Sequence, residues 1–272
     1  KADQILVYNK LIKLSENNHN YSNAVIYIDK IQNILNEQRI SDELFHKWLN
    51  YNKILEQYDI IINKLNEYIQ NEVITKKYIY YNVELSKIHL LINQYGDAKI
   101  ILENLVDEYG ENPVSKKELV EAYYLLGTIY FNLNWDFEAS QETYQNAIDI
   151  SKSSTHGKKS KENITSMQSY FDLIEEISYE RIMLNEELTR KELDDSLMNI
   201  PLGSFNKLDS LIFHSAQILY FDLGAKDSAI YKFKQLINNY PDSQYRYKSL
   251  VILNIENPDS NWEQILKEEY LN

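Results

Sequence analysis

The sequence predicts an all-α fold, an α-α superhelical solenoid of stacked helical hairpins, and three observations carry that expectation. Only six glycines and four prolines punctuate 272 residues, too few for the many tight turns that β-hairpins or long loops demand. Apolar residues recur at helical spacing through most of the chain. Above all, the chain repeats itself, and repetition on a scale of about 20 to 50 residues marks a stack of like supersecondary units.

The units read in order along the chain. Tyr21-Ser22-Asn23-Ala24 leads into Ile28 and Ile31, which places a first hairpin over about 2–36, and Tyr58-Asp59-Ile60-Ile61 leads into Leu65 and Tyr68 in a second, 41–70. A third, 75–109, turns at Asn93-Gln94-Tyr95-Gly96-Asp97-Ala98, and a fourth, 116–152, turns at Asn134-Trp135-Asp136-Phe137-Glu138-Ala139. Another, 207–240, turns between Gly224 and Ala229. With Ala24, Ile61, Ala98, Ala139 and Ala229 as markers the steps are 37, 37, 41 and 90 residues. The doubled last step predicts a further hairpin over 162–200, where Ile164, Met167, Phe171, Ile174 and Ile177 keep the period without Gly or Pro; one long helix or two are equally compatible with it. Ser243–Ile255 and a helix opened by Pro258, with Asp259 or Ser260 as N-cap, read as capping helices over 243–270. The whole of 1–272 therefore reads as one array. Gly127, Ser86, Ala98, Ala139 and Ala229 supply the small side chains that let paired helices approach closely.

Composition narrows the function. A formal charge of −13, from 41 acidic and 28 basic residues, repels a phosphate backbone, so nucleic acid is not an expected partner. Basic residues cluster once, at Lys152, Lys158, Lys159 and Lys161 around Gly157, in a stretch that reads as an exposed loop. There is no cysteine, hence no disulfide or thiolate site. No run of about 18 apolar residues is present to span a bilayer. The chain starts Lys1-Ala2-Asp3, and a signal peptide or lipid anchor ahead of it is an expectation that its first residues leave open.

These residues resemble a tetratricopeptide repeat array. Tyr123, Leu126, Gly127, Tyr130 and Ala139 fit the family's pattern in one repeat, and Phe213, Tyr220, Gly224, Ala229, Phe233 and Pro241 in another. Repeats of 37 to 41 residues exceed the family's usual length of about 34, and Ser86 and Gln217 stand where glycine is expected. The segment Leu219 to Ala229, followed by Tyr240-Pro241-Asp242-Ser243 and Tyr245, is similar to tetratricopeptide lipoproteins of the diderm bacterial envelope, among them outer-membrane assembly lipoproteins. That resemblance implies a periplasmic scaffold, tethered to the outer membrane by an N-terminal lipid and binding another protein or peptide segment.

No catalytic set is apparent. His19, His46, His89, His156 and His214 include no pair at the spacing that shares a metal, so neither metal nor cofactor is expected, and His89 reads as a packing histidine. Adjacent acids such as Glu175-Glu176, Glu186-Glu187 and Asp194-Asp195 point in different directions on a helix and read as solvated faces. No phosphate loop, dinucleotide glycine pattern or nucleophile elbow occurs. An enzyme is therefore not expected. By the resemblance, the partner-binding groove is lined by the first helix of each hairpin: Glu43, His46, Asn50 and Lys53, then Tyr80 and Lys87, then Glu121, Tyr124, Thr128 and Asn132, and finally His214. Tyr80 and Tyr124 are the expected aromatic anchors. A cytoplasmic peptide-sensing module is the alternative reading, and the tyrosine content leaves glycan binding open.

Overall fold

The protein was analysed as a computed structural model that describes residues 1–35, 39–111, 113–193, 205–258 and 260–270. Among the described residues there are thirteen α-helices and no strand. Packing divides the chain within one helix, α7, into two compact units, Lys1–Ala122 and Tyr123–Asn272, where the sequence reads as a single array. Stacked hairpins contact only their neighbours, so an array of this kind has no central core to unify it.

Unit 1 holds three hairpins: α1 (Ala2–Asn17) with α2 (Tyr21–Leu35), α3 (Asp42–Ile54) with α4 (Tyr58–Gln70), and α5 (Thr75–Leu91) with α6 (Tyr95–Tyr109). The first seven residues of α7 (Lys116–Asn134) complete it. Unit 2 pairs the rest of α7 with α8 (Phe137–Ser151), and α10 (Phe205–Gln217) with α11 (Lys226–Asn239), followed by α12 (Arg246–Glu256) and α13 (Trp262–Tyr270).

One backbone device makes all five turns. Just before each second helix stands a residue with positive φ: His19 at 54°, Glu56 at 56°, Asn93 at 60°, Trp135 at 51° and Gly224 at 67°. The next residue then caps the new helix and reaches back to the old one. In the first three turns the N–H groups of Asn20, Gln57 and Gln94 donate to the carbonyls of Ser15, Asn52 and His89, five residues earlier. In the last two, Asp136 and Ala225 donate to Tyr130 and Leu219, six residues earlier. Only asparagine and glycine tolerate the left-handed conformation readily, and another residue there costs about 1 kcal/mol. Glu56→Gly is therefore expected to stabilise the protein by about 0.5–1 kcal/mol, and Asn93→Gly to leave it nearly unchanged, as read from urea midpoints.

The same register places a fully buried residue at the fourth position of every second helix: Ala24, Ile61, Ala98, Ser140 and Ala229, each at 0% exposure. Two sequence assignments are corrected by this. Ser140, not the half-buried Ala139, meets the facing helix, where its hydroxyl donates to the Gly127 carbonyl at 2.8 Å. In the last hairpin Ala216, fully buried, takes the close-approach position given to Gln217, because the first helix ends in a π-type turn, Ile218–Asp222, that inserts an extra residue. Ser86, Ala98 and Ala229 are buried as expected. At Gly127 an added Cβ would stand 2.8 Å from the Tyr144 ring, so only hydrogen fits.

Between the two hairpins of unit 2 lies α9 (Thr155–Leu193), one continuous helix of 39 residues. Over its described length, the hairpin expected at 162–200 is thus a single helix that packs against both α8 and α10; residues 194–200, with Asp194 and Asp195, lie outside the described residues. Ile164, Met167, Tyr170, Ile174 and Ile177 form its core-facing stripe, and none of the described residues of α9 adopts a positive φ that would break it. Of the basic stretch read as a loop, Lys152 lies in a turn, but Lys158, Lys159 and Lys161 are helical. The Ser154 hydroxyl accepts from the Gly157 N–H at 3.0 Å, which starts α9 at Thr155.

The C-terminal helices start later than expected. Ser243 accepts from the Tyr245 N–H at 3.1 Å and α12 begins at Arg246. Asp259, one of the two proposed caps, lies outside the described residues, and the other, Ser260, donates its hydroxyl to the Asn257 carbonyl at 2.7 Å.

Candidate functional site

Three successive first helices of unit 1 bring the expected residues onto a connected face. On α3, Glu43, His46 and Asn50 are exposed and Lys53 is half-buried, at the three- and four-residue intervals that share one side of a helix. On α5, Tyr80 and Lys87 keep that spacing with Glu84 between them, and α7 adds Glu121. Side chains link the helices. The Tyr80 hydroxyl lies 2.8 Å from His46 Nδ1, and the rings meet edge to face at 5.2 Å. Burial, reinforced by the charge of Glu84, pushes the Tyr80 phenol above its ordinary range, so this hydroxyl keeps its proton.

A chain of charges runs beside that pair. Lys53 Nζ donates to one oxygen of Glu84 at 2.8 Å and Lys87 Nζ to the other at 2.6 Å. Lys87 also lies 3.0 Å from Glu121. Glu84 is only 7% exposed. Burial alone would raise its carboxyl, yet the two ammonium groups outweigh burial and hold it below the ordinary carboxylate range. Among the described residues Glu43 meets only Lys47 of its own helix, at 3.8 Å, and Asn50 stays on the exposed side of α3.

The His46–Tyr80 pair borders a pocket of about 280 Å³ whose walls include Asp42, Phe45, Lys76, Lys77, Lys117 and Glu118. Lys77 is tied to Asp42 at 2.7 Å; Lys76 and Lys117 are exposed on the rim. Of these residues and Glu84, sequence reasoning named none. Tyr80, Glu84 and Lys87 are spaced as one helical face, which was the available signal for Glu84. The lysines of the rim carried none, since their proximity depends on how α3, α5 and α7 stack.

The expected residues of unit 2 are engaged differently. Tyr124 is half-buried under His156, whose ring lies 5.1 Å away, and Lys159 Nζ stands 5.9 Å from its ring centre. Thr128 donates to the Tyr124 carbonyl and shares a 3.0 Å hydrogen bond with Tyr144. Asn132 is half-buried, and its Oδ1 accepts no hydrogen bond from the described residues. His214 is exposed, with Nδ1 3.1 Å from Gln217 Oε1 and its ring edge-on to Tyr245 at 5.6 Å. Tyr80 and Tyr124 thus belong to different units. His89, read as a core or interhelix packing histidine, is half-buried near the end of α5 with Nδ1 2.7 Å from Gln94 Oε1.

Among the described residues no three His, Asp or Glu side chains are placed to hold a metal ion, and no helix is long and apolar enough to cross a membrane. The tetratricopeptide repeat family matches residues 210–243, which take in most of α10, the π-type turn and α11 and end at Ser243. The all-α hairpin architecture agrees with that match. No curated protein matches the chain. Tetratricopeptide repeats are in general protein-interaction scaffolds and not catalysts, using surfaces assembled from successive hairpins.

Proposed function

We propose that this chain is a scaffold of the bacterial envelope, periplasmic and tethered to the outer membrane through a lipid, which holds a segment of another envelope protein on the first-helix face of unit 1. The observation that supports this reading most is the joining of α3, α5 and α7 by the His46–Tyr80 and Lys53–Glu84–Lys87–Glu121 contacts around a pocket of about 280 Å³. A face whose polar groups are already positioned loses little entropy on meeting an extended or helical segment. The envelope location rests on the resemblance of the Leu219–Ala229 and Tyr240–Ser243 stretches to envelope lipoproteins.

Both parts can be tested in the native cell. A photo-crosslinking amino acid placed at Lys76 or Lys117 is expected to yield a discrete protein adduct, whereas the same group at exposed Ile60 on α4 is not. Equal labelling from all three positions would remove the first-helix face from the proposal. Fractionation of the full-length protein should place it with outer-membrane lipoproteins. Recovery in the cytoplasm would favour a peptide-sensing regulatory module instead.

A further inference from the structure

The cationic cluster of unit 2 has no role in the scaffold reading, and its geometry points to a second docking site. Because α9 begins at Thr155, Lys158, Lys161, Glu162 and Thr165 fall on neighbouring positions of its first turns. With Lys152, just past the end of α8, and Ser166 they line a pocket of about 540 Å³. We propose that this pocket receives an acidic segment of a partner protein, one that places carboxylates against the three ammonium groups and an apolar side chain between them.

Four observations carry the assignment. First, three lysines without carboxylate partners stand together in one pocket, whereas Lys47, Lys53, Lys77, Lys87, Lys207 and Lys226 are neutralised by carboxylates. Among the described residues Lys152, Lys158 and Lys161 pair with none, although the chain carries 41 acidic residues against 28 basic ones. Even Glu162, on the same wall, is not within ion-pairing distance of them among the described residues. Second, the pocket is open to solvent and its lining is mostly apolar, formed partly by lysine stems, which bury methylene groups while the ammonium ends reach solvent. Third, the Ser166 hydroxyl has no hydrogen-bond partner among the described residues and lies in that wall. Fourth, the first turn of a 39-residue helix adds its own positive end to the local potential.

The charge distribution separates a peptide from an anionic membrane as the occupant. Outside this cluster the chain is strongly acidic, and a flat anionic surface would meet that repulsion along with the three lysines. A narrow segment meets only groups within about one Debye length, roughly 10 Å at 0.1 M salt, where the lysines dominate.

The site is separate from the first-helix face of unit 1, so each can fail alone. The test is fluorescence anisotropy with a labelled peptide of alternating glutamate and leucine, together with sedimentation on phosphatidylglycerol vesicles. Wild-type protein is expected to bind the peptide with an affinity that falls as salt rises. The Lys158→Gln, Lys161→Gln double variant should lose it by about tenfold or more. Lys10→Gln with Lys13→Gln, on exposed positions of α1, should leave it unchanged, and circular dichroism should show all proteins equally helical. Absence of peptide binding, or an equal loss in both double variants, would overturn the proposal. Binding to the vesicles but not the peptide, dependent on Lys158 and Lys161, would overturn it in favour of a membrane.

Discussion

Replacing Lys53 and Lys87 together by methionine is expected to cost unit 1 about 3–5 kcal/mol at neutral pH, because it strands Glu84 as a buried carboxylate with both its partners removed. The two ammonium groups stand 2.8 and 2.6 Å from the carboxylate in the native protein. Further replacement of Glu84 by methionine should recover most of the loss, since an apolar trio of similar volume has no charge to desolvate. The pH dependence separates this account from a simple packing defect. In the native protein the Glu84 carboxyl lies below its ordinary value, so its contribution is present above the ordinary carboxylate range and is lost as pH falls through the depressed value. In the double variant burial acts unopposed and raises the carboxyl, so its penalty should shrink as the solution is acidified. The measurement is urea unfolding followed by Trp48 fluorescence, with Trp135 and Trp262 replaced by phenylalanine so that the signal comes from unit 1 alone. A double variant whose loss is the same at neutral and acid pH would contradict the electrostatic account.

Gly157→Ala is expected to be the most damaging single-methyl addition in unit 2. A Cβ built there would lie 2.0 Å from the Ser151 carbonyl oxygen and 3.1 Å from Ser154 Oγ. The first of these is backbone and cannot rotate away, so the start of α9 must shift. That shift breaks the Ser154 cap, whose hydroxyl accepts the Gly157 N–H at 3.0 Å, and moves a helix that packs on both α8 and α10. Overpacking costs about 1–3 kcal/mol, and loss of a cap adds about 1 kcal/mol, so about 3 kcal/mol is expected. Thermal unfolding followed through Trp135 and Trp262 would check it. Gly96→Ala, in unit 1 and followed through Trp48, is the control for an unhindered methyl, since nothing lies within 4 Å of its added Cβ. An alanine at 157 as harmless as one at 96 would show that the α8–α9 corner is not held as tightly as its geometry indicates.

The hairpins were legible in the sequence because each second helix carries a small or apolar marker at a constant position. The exceptions have physical causes. Ala139 is an attractive marker by residue type, but it is the third residue of α8, and the buried position of every second helix is the fourth, here Ser140. In the last hairpin a π-type turn moves the close approach from Gln217 to Ala216, a change in how a carbonyl is shared that has no residue signature. The stretch from 162 to 193 is settled only by the structure, since periodicity continues unbroken through a helix whether or not a turn is required. At 152–161 the Ser, Thr, Gly and Lys composition favours a loop, and a single capping hydroxyl at Ser154 overrides it. Seven of the expected groove residues fall on unit 1, where six of them, all but Asn50, take part in side-chain contacts on that face. Glu84 was passed over because an acidic residue among lysines reads as solvent-facing, and only the stacking of α3 on α5 shows it to be buried.

The left-handed residue ahead of each second helix is spelled His19, Glu56, Asn93, Trp135 and Gly224. The hairpin that the tetratricopeptide family matches, at residues 210–243, is the one that spells it with glycine. Shape and lettering have therefore come apart: five corners turn the chain the same way with five different side chains, four of them bearing a Cβ that this conformation disfavours. Kinship among these hairpins is written in torsion angles more plainly than in residue types.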